Sequence, residues 1–207
     1  MEKTIFLFTR KATRSRKDFG KHYIGNHAPL GRRLTRGLLG YTVNLVQNRD
    51  WPDALTEHWV HAAMDLLTPS IAYAQQQDFE EVLTDDISLF DGFRLYVVTA
   101  EFLIVSGELL DSPLGELTPE CKAVWTFHDA SALPQAPRKA RRVVDNFVSY
   151  ELVHTGNGKW EKRAADVAVF RMAWTSGPDG PNDECMIVDE YRQIPCPPPG
   201  WSADRDA

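Results

Sequence analysis

Residues 15–46 read SRKDFGKHYIGNHAPLGRRLTRGLLGYTVNLV, and the fold follows from how this stretch is divided. Phe19, Tyr23, His27, Leu30, Leu34 and Leu38 recur at steps of four, four, three, four and four, which keeps them on one face of a 3.6-residue period. The spacing predicts a helix from Ser15, a capping residue like Thr13, to about Leu39, ended by Gly37 and Gly40. Tyr41–Gln47 (YTVNLVQ) then reads as a strand. Inside the helix, Gly25–Leu34 (GNHAPLGRRL) is poor helical material, since each Gly costs about 1 kcal/mol and Pro about 3. The weakening is centred on His27.

Outward from there, Lys3–Thr9 (KTIFLFT) is an apolar, β-rich strand. Asn48–Leu55 is a loop and Thr56–Leu66 a third strand. Thr68-Pro69 opens a second helix that continues through Tyr73, Phe79 and Val82, and Arg94–Val105 is a fourth strand. The order β-α-β-β-α-β is an α+β, ferredoxin-like split βαβ unit. Beyond the turn-rich Asp111–Pro119, Lys122–His128, Val148–Thr155, Asp166–Thr175 and Met186–Ile194 read as strands, with Gly156-Asn157-Gly158 as a hairpin turn. Pro137–Phe147 reads as a short basic helix. The expected division is an α+β domain at 1–110, a β-rich second half at 120–195 that is a decayed repeat of the first, and a disordered tail at 196–207.

Bulk properties narrow the class. Cys121, Cys185 and Cys196 lie far apart, the reading for thiols in a reducing compartment. No segment approaches the roughly 20 apolar residues of a membrane span, so the expectation is a soluble, cytoplasmic protein. Residues 10–36 carry nine basic side chains against one acidic one, in a chain whose net charge is −6. No nucleic-acid motif accompanies the basic stretch, so nucleic acid is disfavoured as a partner. The acidic segment 78–91 (Asp78, Glu80, Glu81, Asp85, Asp86, Asp91) is available to pair with it.

IFLFTRK, DFGKHYIGNHAPLGRRL, GYTVNLV and LFDGFRLYVVTAEFLI together resemble the EthD-like family of dimeric α+β barrel proteins over about residues 1–106. Methylmuconolactone methylisomerase-type enzymes share the arrangement. The resemblance implies two four-stranded sheets packed into a barrel, usually by dimerisation, so a homodimer is expected; the alternative is that the β-rich second half covers the first sheet within one chain. It also implies a pocket between sheet and helices, and chemistry without metal or cofactor on small aromatic or polyketide-like compounds.

Among the residues, His27 stands on the apolar stripe, where Pro29 removes a helical N–H and the neighbouring glycines allow the backbone to adjust. A kink there would present the imidazole to a cavity; the competing reading is a core histidine. Histidine suits proton transfer near neutrality. His58 and His61, three apart on a strand, face opposite sides, so no metal site is expected. The resemblance places a histidine near His58 and a tyrosine at Tyr41, the alternatives being a strand-edge surface residue and a strand-start aromatic packed over the helix; this chain lacks the relatives' third-strand cysteine, where Met64 or a neighbour stands. Met64, Tyr23 and Tyr96 are candidate substrate contacts, with core packing the alternative for the two tyrosines. The resulting expectation is a cofactor-independent lyase, isomerase or cyclase in which His27 moves the proton and His58 and Tyr41 orient the substrate. The rivals are a non-catalytic ligand-binding or stress-type barrel, and a haem-binding barrel with a histidine ligand.

Overall fold

Strand β1 (Glu2–Arg10) shows how the chain is layered. Ile5 and Leu7 join one buried cluster, with Leu55, Tyr96, Phe170 and Met172. Phe6 and Phe8 join another, with Phe19, Tyr23, Tyr41 and Leu95. Side chains alternate across a strand, so a strand apolar on both faces must separate two cores. The first core is the interior of a barrel; the second lies outside it, under the helices.

The computed structural model describes residues 1–155, 159–175 and 185–195. The remaining strands are β2 (Gly40–Val46), β3 (Ala54–Val60), β4 (Phe90–Ser106), β5 (Cys121–Phe127), β6 (Ala140–His154), β7 (Trp160–Arg163), β8 (Val169–Thr175) and β9 (Met186–Ile194). They hydrogen-bond in the order β4-β1-β3-β2-β9-β5-β8-β6, and β6 returns to β4, which closes an eight-strand barrel. Strand β7 extends the sheet beyond β6. Closure removes the exposed edges that an open sheet would carry. It is achieved within one chain: β2 pairs with β9 and β4 with β6. The second copy expected for that purpose is therefore not needed to complete the barrel.

The second half repeats the strand order of the first, β9-β5-β8-β6 against β4-β1-β3-β2. The equivalence extends to single residues. Lys3 lies opposite Trp59 across β1–β3, and Lys122 lies opposite Trp174 across β5–β8. Asn44 donates to the Leu55 carbonyl, and Asn146 to that of Phe170, at the matching registers. Inside the barrel these positions build an ion cluster. The two Glu57 carboxylate oxygens take Lys3 at 2.8 Å and Lys122 at 2.5 Å. Lys3 also meets Glu101 at 2.7 Å, and Lys122 meets Glu190 at 2.8 Å. Each ammonium sits over its opposed tryptophan, at 4.4 and 4.7 Å from the ring centre.

Among the described residues, the α-helices lie on the outer face of the first half; the second half has a single 3-10 turn, Ala130–Ala132. The α-helices are α1 (Arg16–His22), α2 (Ala28–Leu34), α3 (Ala63–Leu66), α4 (Pro69–Ala72) and α5 (Gln76–Leu89). Ser15 caps α1 by accepting from the Asp18 amide at 3.1 Å, as its side-chain chemistry predicts. Four expectations are corrected. The first helix ends at Leu34, ahead of the left-handed Gly37. The third strand ends at Val60, since the chain turns into α3 at Ala63. Thr68-Pro69 opens only the single turn α4, and the long helix begins at Gln76. Residues 137–147, read as a basic helix, enter β6 from Ala140, because Val143 and Val144 bury between β4 and β8 and tertiary pairing outweighs local propensity. The hairpin turn at 156–158 and the tail at 196–207 lie outside the described residues.

Candidate active site

Pro29 has no N–H to return to the carbonyl four residues back, so a regular α-helix cannot run through it unchanged. The chain responds with a π-helical turn, Tyr23–His27, between α1 and α2. The Ala28 N–H reaches back five residues to the Tyr23 carbonyl. The helix is widened by this turn rather than broken, and π turns of this kind gather at functional sites.

The widened turn aims His27 at α5. Its Nδ1 lies 2.8 Å from Asp85 Oδ2, and its Nε2 lies 3.6 Å from Asp86 Oδ1. His22 Nε2 takes the other Asp85 oxygen at 2.6 Å. The acidic segment thus does meet the basic one: Arg33 pairs with Glu81 at 2.9 Å and Lys11 with Asp91 at 3.1 Å.

Between the helices and the outer face of β1–β3 and β4 lies a cavity of about 350 Å³. Its walls are aromatic and aliphatic, including Phe6, Phe8, Phe90, Phe93 and Leu38. Polar side chains on its lining include His27, Tyr41, His58 and Asp86, together with Thr35, Tyr73 and Asp91. The three expected catalytic residues are therefore brought to one cavity. His58 stacks on Tyr41 with ring centres 4.7 Å apart, and its buried Nδ1 has no hydrogen-bond partner among the described residues.

The electrostatics separate the roles of these groups. Burial, reinforced by the charge of His27 and opposed by Glu57, pushes His58 down to about 3, so it is neutral across the physiological range. Burial raises Asp86 to about 6, against the attraction of His27 and with help from Asp85. Burial would raise Asp85 as well, but hydrogen bonds from His27 and His22 hold it below the ordinary carboxylate range. Burial raises both Tyr23 and Tyr41. Removal of each phenol from water is the main cause in both cases. Because Asp85 accepts from Nδ1, the His27 lone pair at Nε2 faces the cavity and Asp86. The gap of 3.6 Å is too long for a direct hydrogen bond and leaves a reacting atom room to engage both groups.

The expected substrate contacts fare differently. Tyr23 is 1% exposed and stands behind the site, edge-on to His27 at 4.9 Å, so it supports the wall without lining it. Met64 sits on α3 with its side chain exposed, away from the cavity, because β3 stops short of it. Tyr96 points into the barrel, against Phe170, and donates to Asp166 at 2.9 Å; its neighbours Leu95 and Val97 take the helix side. His61 is exposed, and no group of metal-ligating side chains occurs among the described residues. Asp85, Asp86 and His22 carry no motif. The acidic run was a visible partner for the basic helix, but its individual carboxylates were indistinguishable before α5 was placed.

The second half carries no counterpart of this chemistry. At the registers equivalent to Tyr41 and His58 stand Val143 and Ala173. Over that face the Asp145–Arg171 pair, at 2.6 Å, is closed off by the 128–139 segment through the Pro134 carbonyl. The pseudo-repeat thus holds one such site among the described residues.

No protein-family model and no curated protein matches the chain. Among solved structures, one described as a "crystal structure study of anthrone oxidase-like protein" is similar over 93% of this chain and 93% of its own, with a TM-score of 0.51 and 13% identity. That likeness establishes a shared mixed α+β fold with a closed barrel. No helix among the described residues is long and apolar enough to cross a membrane.

Proposed function

We propose that this barrel is a proton-transfer enzyme acting on a small planar aromatic compound that carries a ketone or phenol, with His27 as the base. The observation that carries the reading is the pairing of Asp85 with His27 Nδ1 at 2.8 Å, which fixes the tautomer whose lone pair faces an aromatic-lined cavity. In this reading the ring system lies among Phe6, Phe8, Phe90 and Phe93. His27 Nε2 removes a proton from an activated carbon or hydroxyl. The Tyr41 hydroxyl donates to the oxygen on which charge develops, and neutral His58 holds a second polar substituent through its unpartnered nitrogen. Asp86 exchanges the proton with His27.

The EthD-like resemblance supports an aromatic or polyketide-like substrate. The name of the structural neighbour favours anthrones, tricyclic ketones whose central CH₂ loses a proton to give an aromatic, phenolate-type oxyanion. That anion can be reprotonated elsewhere, an isomerisation. It can also react with dioxygen: C₁₄H₁₀O and O₂ then give the quinone C₁₄H₈O₂ and water. Deprotonation is common to both outcomes and is the step assigned to this chain.

A thermal-shift screen of hydroxylated anthrones, quinones and lactones tests the reading directly. A compound present at 100 times its Kd stabilises the fold by about 2.7 kcal/mol. The expected result is one scaffold that raises Tm in the wild type and much less in His27→Ala. Equal shifts in both proteins would remove His27 from the binding site.

Asp86 gives a separate prediction. Its folded pKa, near 6, lies above the ordinary 3.8, so ionising it opposes folding as pH rises through that interval. Asp86→Asn should therefore melt above the wild type at pH 8, with the difference vanishing below pH 4. Any rate inflection near pH 6 should disappear in the variant.

A further inference from the structure

We infer that His22 is a positioning residue for His27, acting through the carboxylate they share and making the site responsive to protons in the surrounding solvent. The inference rests on the reading of His27 as the base. In an α-helix, residues five apart point about 140° away from each other and cannot reach one side chain on a neighbouring helix. His22 and His27 are five apart, yet both meet Asp85, because the intervening turn is π-wound and closes from Ala28 back to Tyr23. The wide turn at Pro29 therefore does more than accommodate a missing N–H: it aligns two imidazoles on one carboxylate.

The division of that carboxylate is even. Oδ2 faces His27 at 2.8 Å and Oδ1 faces His22 at 2.6 Å. The two rings differ in access. The His27 side chain is 10% exposed and belongs to the cavity, whereas that of His22 is 23% exposed and opens to solvent, with Asn26 Nδ2 3.4 Å from its other nitrogen. When His22 binds a proton, its cation draws on the Asp85 charge. The carboxylate then pulls less on His27 Nδ1–H, and Nε2 becomes a weaker base. When His22 is neutral, the Asp85 charge is returned to His27.

The other titratable groups around the pair sit on several elements. Asp86 on α5 faces His27 Nε2, and Asp91 at the start of β4 is paired with Lys11. His58 on β3 couples to His27 through its charge, and Tyr41 on β2 stacks on His58. None of these contacts the outer Asp85 oxygen, which is left to His22 among the described residues.

The test is a histidine-ring ¹⁵N NMR titration of the wild type, His22→Gln and His22→Ala. His22→Gln keeps an N–H donor for Asp85 and removes the charge, at a part-exposed helix position that tolerates it. The expected result is a His27 titration midpoint about one pH unit higher in His22→Gln, with the Nδ1–H tautomer retained. His22→Ala should raise the midpoint in the same direction while loosening the tautomer. If the His27 midpoint is unchanged in both variants, the inference is wrong. The readout needs no substrate, so it stands apart from the assignment of His27 as base. That assignment is judged by turnover in the His27 variants.

Discussion

His27→Ala is expected to lower turnover of a cognate aromatic compound by about 10²–10⁴-fold, the usual contribution of a positioned acid–base group. The side chain removed is 10% exposed, packed edge-on against Tyr23 and Phe90 at 4.9 and 5.3 Å. Some loss of Tm accompanies the change, because a small hole opens under the helices. The fold itself should persist: α5 keeps its contacts to the first helical segment through His22–Asp85 and Arg33–Glu81. His27→Gln separates packing from chemistry, since the longer side chain fills most of the space and supplies no base. Both variants should keep the wild-type circular dichroism spectrum and lose activity together. Full activity in a folded His27→Gln protein would show that the base is elsewhere, with Asp86 the first place to look.

The largest stability effect is expected deep in the barrel, at Glu57. This carboxylate is 3% exposed and bridges Lys3 and Lys122, the latter fully buried. Glu57→Gln keeps the shape but leaves two ammonium groups without their common counter-charge. Breaking a buried ion pair from one side costs about 3–5 kcal/mol. Glu101, Glu190 and Asn146 remain near the lysines and hold the loss to that range instead of something larger. The pH dependence follows from the same contacts. Burial works to raise the Glu57 pKa, but Lys122 and Lys3 overcome it and hold the group at about 2, below the ordinary 4.5. A depressed folded pKa contributes stability that is complete above the unfolded value and is lost as pH falls through the folded one. The wild type should therefore lose this contribution between about pH 4.5 and pH 2. The gap between wild type and Glu57→Gln should narrow over the same interval. Urea unfolding at pH 7, 4 and 2.5 measures it, and a constant gap would mean that the carboxylate is not what holds the lysines.

The two expected results address different layers of the molecule. His27 lies in the outer layer, between helices and sheet, where aromatic packing leaves a cavity. Glu57 lies on the opposite face of the neighbouring strands, where the pseudo-repeat brings two lysine–tryptophan pairs together. The stability losses of His27→Ala and Glu57→Gln should add in the double variant, since β-strand side chains alternate between the layers.

Much of this was legible in the chain itself. The continuous apolar run in KTIFLFT announces a buried strand, and the four-and-three spacing from Phe19 to Leu38 announces a helix. GNHAPLG marks a disturbance centred on His27, because missing N–H groups and glycines act locally and are visible locally. Tyr41 and His58 were reached through resemblance, and the registers of β2 and β3 place both beside His27. What the sequence alone left open is long-range. Whether residues 120–195 form their own layer or close the first sheet depends on pairings such as β2–β9, which join residues some 150 positions apart and leave no local mark. Ala140–Phe147 form a strand for the same reason, since the slot between β4 and β8 outweighs what the segment prefers alone. Met64 lies one element beyond the strand that the local pattern assigns it to, because β3 ends where its pairing with β1 ends. Asp85 and Asp86 were two carboxylates among several until α5 was packed, and only that packing decides which one holds the tautomer of His27 and which one faces its lone pair.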